Sequence, residues 1–227
     1  MSKTKKIIII TAAAVVLIIG LLISQLVIMS MPTKGEIIAP YENPQKALLV
    51  IDIQEDFTGT TARPPFPYKD SAKLIAMVNT IIDTAFVRNI NIVYIRQELD
   101  SFMGKLLSRM FIGGAAIKGD PGTEIDKRVS ILTDNLFPKP KSDAFSNPEL
   151  EEYLIKNQVN ELYLVGLDAA GCVHMTARGA LNRGYKVNII TNAVVLQDEE
   201  EWEDLLKEYR EEGIILLSAE DFMSRIP

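Results

Sequence analysis

Apolar positions along the chain fall into three kinds of run. The first, Ile7 to Met29, is almost unbroken, interrupted only by Thr11, Gly20, Ser24 and Gln25. Its 23 residues are long enough for a helix to cross a hydrocarbon core of about 30 Å. Lys3, Lys5 and Lys6 precede it and favour a cytoplasmic N-terminus. A cleaved signal peptide shares the charged start and the apolar run. The length of the run, and the lack of a clean small-x-small site after Met29, favour an uncleaved anchor. The pattern predicts a membrane anchor over residues 1–31 and a linker over 32–45, rich in proline (Pro32, Pro40, Pro44). A domain over 46–227 follows, held outside the cytoplasmic membrane by a single pass. Secretion after cleavage is the alternative.

The second kind of run is short and mainly apolar, as in Ala47–Ile53, Asn91–Ile95, Asn135–Pro138, Leu162–Gly166, Lys186–Thr191 and Ile214–Leu217. Fully apolar strands suit a parallel sheet covered on both faces. The third kind has helical spacing. Ser71–Val87 places Leu74, Ile75, Val78, Ile81, Ile82 and Ala85 on one face. Pro148–Asn157 opens on an Asn147-Pro148 cap. Helices are also predicted over Ala170–Arg183 and over the acidic Asp198–Glu211. Residues 58–69, with Pro64, Pro65 and Pro67, read as a loop. Residues 99–127, with five glycines, read as a long irregular loop, and Ala219–Met223 as a closing turn. Strands alternating with helices predict an α/β fold: a three-layer α/β/α, doubly wound sheet of about six mainly parallel strands.

Composition narrows the picture. A length of 227 residues suits one such domain, and the single cysteine excludes an internal disulfide. Residues 1–35 carry Lys3, Lys5, Lys6 and Lys34 and no acid, so a net charge of −6 becomes −10 for the remainder. So acidic a body has no basic stripe for phosphates, and nucleic acid is excluded as a partner.

Three polar residues follow apolar strands: Asp52, Lys139 and Cys172. In open α/β sheets ligands bind at the carboxyl ends of the strands, so the three can meet. A cysteine in the first turn of a helix lies where the dipole favours a thiolate, although a lone cysteine also serves as a small buried hydrophobe. A carboxylate can take the thiol proton, and an ammonium can hold that carboxylate and steady the sulfur. Lys141 lies two residues from Lys139 and competes for that place. Lys118 reads as a solvated or substrate-loop residue, His174 as a helix histidine, and Trp202 as packing or interface.

The segments LLVIDIQEDF, KPKSDAF and GLDAAGCVHMTARGALNRGYKV together resemble the isochorismatase-like cysteine hydrolases. The likeness covers residues 46 to about 197, in order. Asp52 matches the aspartate of a V-I-D-x-Q-x-D-F element. Lys139 lies six residues before Phe145 of D-A-F, and Cys172 precedes Val173 at the head of a helix. The resemblance implies an Asp52–Lys139–Cys172 triad working through a covalent intermediate. It implies a cis peptide at Leu167–Asp168, and an oxyanion hole from the Asp168 and Cys172 amides. Ala169 stands where the family has threonine. The nicotinamidase metal site of an aspartate and histidines is replaced by IRQELDSF, so the resemblance implies neither a metal nor any other cofactor, and no nicotinamidase activity. Gln54, Phe57, Arg96, Gln97 and Phe145 are candidates to line a pocket for a small-molecule substrate. The expected activity is hydrolysis of a small amide, imide or carbamoyl C–N bond. A non-catalytic tethered module that keeps the fold is the competing reading, and a redox-sensing thiol would need a cysteine from another chain. The family also implies a homo-oligomer, with no interface visible in the sequence.

Overall fold

A computed structural model describes residues 2–62, 64 and 66–225; Pro65 of the expected loop lies outside the described residues. The chain begins with α1 (Lys3–Ser30), capped by Ser2. This helix is long and apolar enough to cross a membrane, with a mean hydropathy of 3.0 over an 18-residue stretch, and a signal sequence near the N-terminus fits equally. After it come β1 (Gln45–Ile51), the one-turn α2 (Glu55–Thr58), α3 (Ser71–Val87), β2 (Asn91–Gln97), α4 (Phe102–Phe111), β3 (Leu136–Lys139) and α5 (Pro148–Lys156). The chain ends with β4 (Val159–Leu167), α6 (His174–Leu181), β5 (Lys186–Val195), α7 (Trp202–Glu211), β6 (Ile215–Leu217) and α8 (Ala219–Arg225).

The six strands form one sheet in the order β3-β2-β1-β4-β5-β6, and every pairing is parallel. The alternation of β1 shows why its run is wholly apolar. Leu48 and Val50 point into a core with α3 and α8, while Ala47, Leu49 and Ile51 point into a core with α5, α6 and α7. All five side chains are fully buried. Strand order reverses between β1 and β4, which opens a crevice at their carboxyl ends. At that point Gly166 (φ +117) lies so close to Ile51 that a Cβ would meet the Ile51 carbonyl at 2.0 Å.

The structure corrects the sequence reading in three places. Residues 99–127 are not wholly irregular, because they contain α4, whose Ser101 Oγ accepts the Gly104 N–H at 2.9 Å. Gly104 in its first turn and the glycine pair after it mask an ordinary cap-and-helix pattern. The helix expected from Ala170 opens as a π-helical turn, Ala169–Val173, that is kinked at Gly171 and runs straight into α6 at His174. Asp168 Oδ1 captures the Ala170 and Gly171 N–H groups at 2.9 and 3.0 Å, and Gly171 turns out of helical geometry (φ −101, ψ −109). Cys172 therefore sits just past the kink, in the turn that leads into α6. The closing turn after Ala219 is α8, which Ser218 caps through the Asp221 N–H at 3.0 Å.

Residues 31–44 have no regular structure, yet they are fastened to the domain. Asp143 Oδ2 accepts from both the Thr33 N–H and the Thr33 hydroxyl at 2.7 Å. The buried Arg183 donates to the Lys34 carbonyl at 3.1 Å, pairs with Glu151 at 3.0 Å and stacks on Phe145 at 4.6 Å.

Candidate active site

Three strand ends deliver the chemistry. The chain leaves β1 through a left-handed residue, Asp52 (φ 55), a conformation that aspartate tolerates better than most side chains. Lys139 is the last residue of β3, and Cys172 lies in the turn after β4. Between Asp52 and Lys139 stands β2, whose last residue, Gln97, completes the group. Asp52, Lys139 and Gln97 are buried, and Cys172 is partly so. The Leu167–Asp168 peptide just ahead of the cysteine turn is cis.

Lys139 is the hub. Its Nζ lies 2.8 Å from Asp52 Oδ2 and 3.1 Å from Cys172 Sγ. It also donates to Gln97 Oε1 and, at 3.2 Å, to the Lys141 carbonyl. Lys141 thus contributes its backbone here, and the ammonium in the centre belongs to Lys139. Gln97 is held in place by Gln54: the Gln97 N–H donates to Gln54 Oε1 at 2.7 Å, and Gln54 Nε2 returns a bond to the Gln97 carbonyl at 3.1 Å.

Burial sets the resting protonation. It opposes the Lys139 charge, but Asp52 and the neighbouring sulfur outweigh it and raise the ammonium above its ordinary value. Burial lifts the Asp52 carboxyl above the usual carboxylate range, with Lys139 pulling the other way. Its Oδ1 has no hydrogen-bond partner among the described residues. Burial also pushes the Cys172 thiol up to about 12, against the pull of Lys139 and with the push of Asp52. The sequence reading expected a thiolate favoured by the start of a helix. The cysteine does stand in a kinked turn at the start of that helix, but burial and the Asp52 carboxylate outweigh the helix start, so the thiol rests protonated beside a base.

The group opens into a cavity of about 320 Å³. Its far walls are apolar: Phe57, Phe66, Leu99, Leu107, Phe111 and Ile112 from α2, the loops and α4, with Leu26 and Met29 from α1. Asp168 forms part of the rim. Its Oδ2 accepts from the Tyr68 hydroxyl at 3.2 Å and the Gln197 N–H at 3.0 Å.

An isochorismatase-domain family matches residues 46–221. The chain belongs to the isochorismatase family. It is 27% identical over 176 residues to a secreted isochorismatase effector of Phytophthora sojae, covering 76% of this chain and 72% of that one. It is 27% identical over 158 residues to a nicotinamidase of Arabidopsis thaliana, covering 68% and 75% respectively. Among solved structures, the N-carbamoylsarcosine amidase of Thermoplasma acidophilum superposes with a TM-score of 0.65 at 25% identity, over 77% of this chain and 96% of that one.

Within this isochorismatase fold the residues expected at the pocket separate. Phe57 and Gln97 lie on the cavity wall. Gln54 lies beneath it, with its amide bonded to the Thr123 carbonyl at 2.8 Å. Arg96 turns away to Glu98 and Glu124 at 2.6 and 2.7 Å, and Phe145 packs under Arg183. The walls that sequence reasoning missed, Phe66, Tyr68, α4 and the end of α1, come from loop and anchor segments far apart in the chain. Their only signals were the aromatic pair among the prolines and the cap at Ser101. His174 pairs with Glu212 at 2.8 Å. With Glu208 these are the described residues that could gather on a metal ion, but both acids already pair with Arg178.

Proposed function

We propose that this protein is a cysteine-nucleophile hydrolase of an amide, imide or carbamoyl C–N bond, acting through a covalent acyl-enzyme. The observation that carries it is the placement of one buried ammonium, Lys139, within hydrogen-bond reach of both Asp52 and Cys172. The relatives add support: one is a nicotinamidase, and a structural neighbour cleaves a carbamoyl compound by its name.

Asp52 takes the Cys172 proton as the sulfur attacks the carbonyl carbon, forming the S–C bond. A thiol this high is poorly ionised in advance, so proton removal accompanies the attack rather than preceding it. Lys139 stays charged and balances first the carboxylate and then the sulfur. The backbone N–H groups of Asp168 and Cys172, both at the cavity, are the assigned oxyanion donors. Asp52 passes the proton to the departing nitrogen as the C–N bond breaks. Water then attacks the thioester, Asp52 accepts its proton, and the sulfur leaves and is reprotonated. In this reading α1 is an uncleaved single-pass anchor and residues 46–227 lie outside the cytoplasmic membrane. The test is a panel of small amides on the purified protein. Hydrolysis lost in both Cys172→Ala and Asp52→Asn supports the assignment, and hydrolysis unchanged in Cys172→Ala refutes it.

A further inference from the structure

The anchor helix does more than leave the domain. Leu22, Gln25, Leu26 and Met29 are its half-buried positions, spaced as one helical face. Met29 packs on the domain core, its carbonyl accepts the Ser142 N–H at 2.9 Å, and Leu26, Met29 and Ser30 line the cavity that holds Cys172. A helix rises about 1.5 Å per residue, so the twenty residues from Ile7 to Leu26 span a hydrocarbon core of about 30 Å. Leu26 to Ser30 then fall at the level of the lipid headgroups.

The helix α4 meets α1 across the same cavity. Leu107, Ser108 and Phe111 line the inside, while Phe102 and Met110 are 83% and 56% exposed on the outside. Phe102, Leu106 and Met110 repeat every four residues, and Lys105 and Arg109 run alongside them. An apolar stripe edged by cations is how a short helix rests in a membrane interface. The cavity lining contains Asp52 and Asp168 but no Lys, Arg or His among the described residues, so it offers no partner to an anionic substrate.

We infer that the active-site cavity opens at the membrane surface between α1 and α4, and that its substrate is an uncharged, long-chain N-acyl amide drawn from the lipid phase. The carbonyl reaches Cys172, while the acyl chain lies along Leu26, Met29, Leu107 and Phe111 toward the bilayer. Its products are a fatty acid and an amine, by the steps given above. The inference rests on the proposed hydrolase and anchor readings and names the substrate class of that site.

The full-length protein, its intact mass showing α1 retained, is reconstituted in phosphatidylcholine vesicles and given acetyl, octanoyl and dodecanoyl p-nitroanilides. The expected result is a Cys172-dependent kcat/KM that rises about tenfold or more from acetyl to dodecanoyl, as added methylenes find apolar surroundings. In the Phe102→Asp/Met110→Asp double variant the dodecanoyl value falls more than the acetyl value. Cys172-dependent hydrolysis that is flat with chain length, or favours acetyl, overturns this inference and leaves the hydrolase reading standing. No Cys172-dependent hydrolysis of any member removes both. If light scattering shows a dimer that the double variant splits, the α4 face is covered by a second copy and the inference falls.

Discussion

The Met29 carbonyl, in the last turn of α1, accepts the Ser142 N–H at 2.9 Å, and both residues line the cavity beside Cys172. The anchor is thereby part of the substrate wall. Leu26→Asp is expected to raise KM for a neutral amide about tenfold, because a carboxylate in an apolar wall keeps its water or displaces the ligand. The kcat value should stay within about twofold, since Leu26 touches none of the triad. Steady-state kinetics of the full-length protein check it, and a loss confined to kcat would contradict a wall role.

Cys172 also sets the alkaline limit of stability. Its thiol is raised from 9.0 to about 12 in the folded protein, so between those values the native state holds a proton that the unfolded chain has released. Stability then falls as pH rises, by about 1.4 kcal/mol per unit for one group. Lys139, raised from 10.5, adds a second decline that begins higher. Urea unfolding from pH 8 to 11 should show stability falling from about pH 9 in the wild type. In Cys172→Ser the onset moves toward the lysine's range. Alkylation of Cys172 by iodoacetamide should keep accelerating well past the pH at which a free thiol levels off.

Lys139→Met removes the hub. Asp52 then stays buried without its cation, and the usual cost of breaking a buried pair is about 3–5 kcal/mol. Part of that cost is avoided if Asp52 takes up a proton, which its burial already favours. The variant is expected to lose hydrolysis and to recover stability as pH falls. Denaturant midpoints at pH 5 and 8 check the sign: equal losses at both would mean that Asp52 does not respond to Lys139.

Much of this was legible in the chain because the signals were local. The wholly apolar ALLVI announces a doubly covered parallel strand, and Asn147-Pro148 announces the start of α5 to the residue. Asp52, Lys139 and Cys172 each lie at or just after the carboxyl end of a strand, so the topology brings them to one edge. What stayed hidden depends on contacts between distant segments. The Cys172 turn is shaped by Asp168, which caps the Ala170 and Gly171 N–H groups, and by the kink at Gly171. The height of the thiol comes from enclosure by walls such as α4 and α1, which no spacing around the cysteine reveals. Arg96 and Gln97 are neighbours on β2 and so face opposite ways: one belongs to surface ion pairs and the other to the site.

Gly166 tests whether the close approach of β1 and β4 places Asp52. In Gly166→Ala the new Cβ would meet the Ile51 carbonyl at 2.0 Å, and the backbone there has φ +117. Both strands are central and flanked by filled cores, so neither can retreat without opening a void. The displaced peptide is the one that precedes Asp52, hence the carboxylate should move away from Lys139 and Cys172. A loss of about 3 kcal/mol or more in stability is expected, together with a fall in kcat. Gly213→Ala separates the two causes. Gly213 has φ +85 with nothing within 4 Å of its missing Cβ, so that variant carries the conformational cost alone, about 1–2 kcal/mol, with kcat preserved. If urea unfolding and kcat gave the same values for both variants, backbone strain would account for Gly166, and the approach of the strands would have no part in setting Asp52.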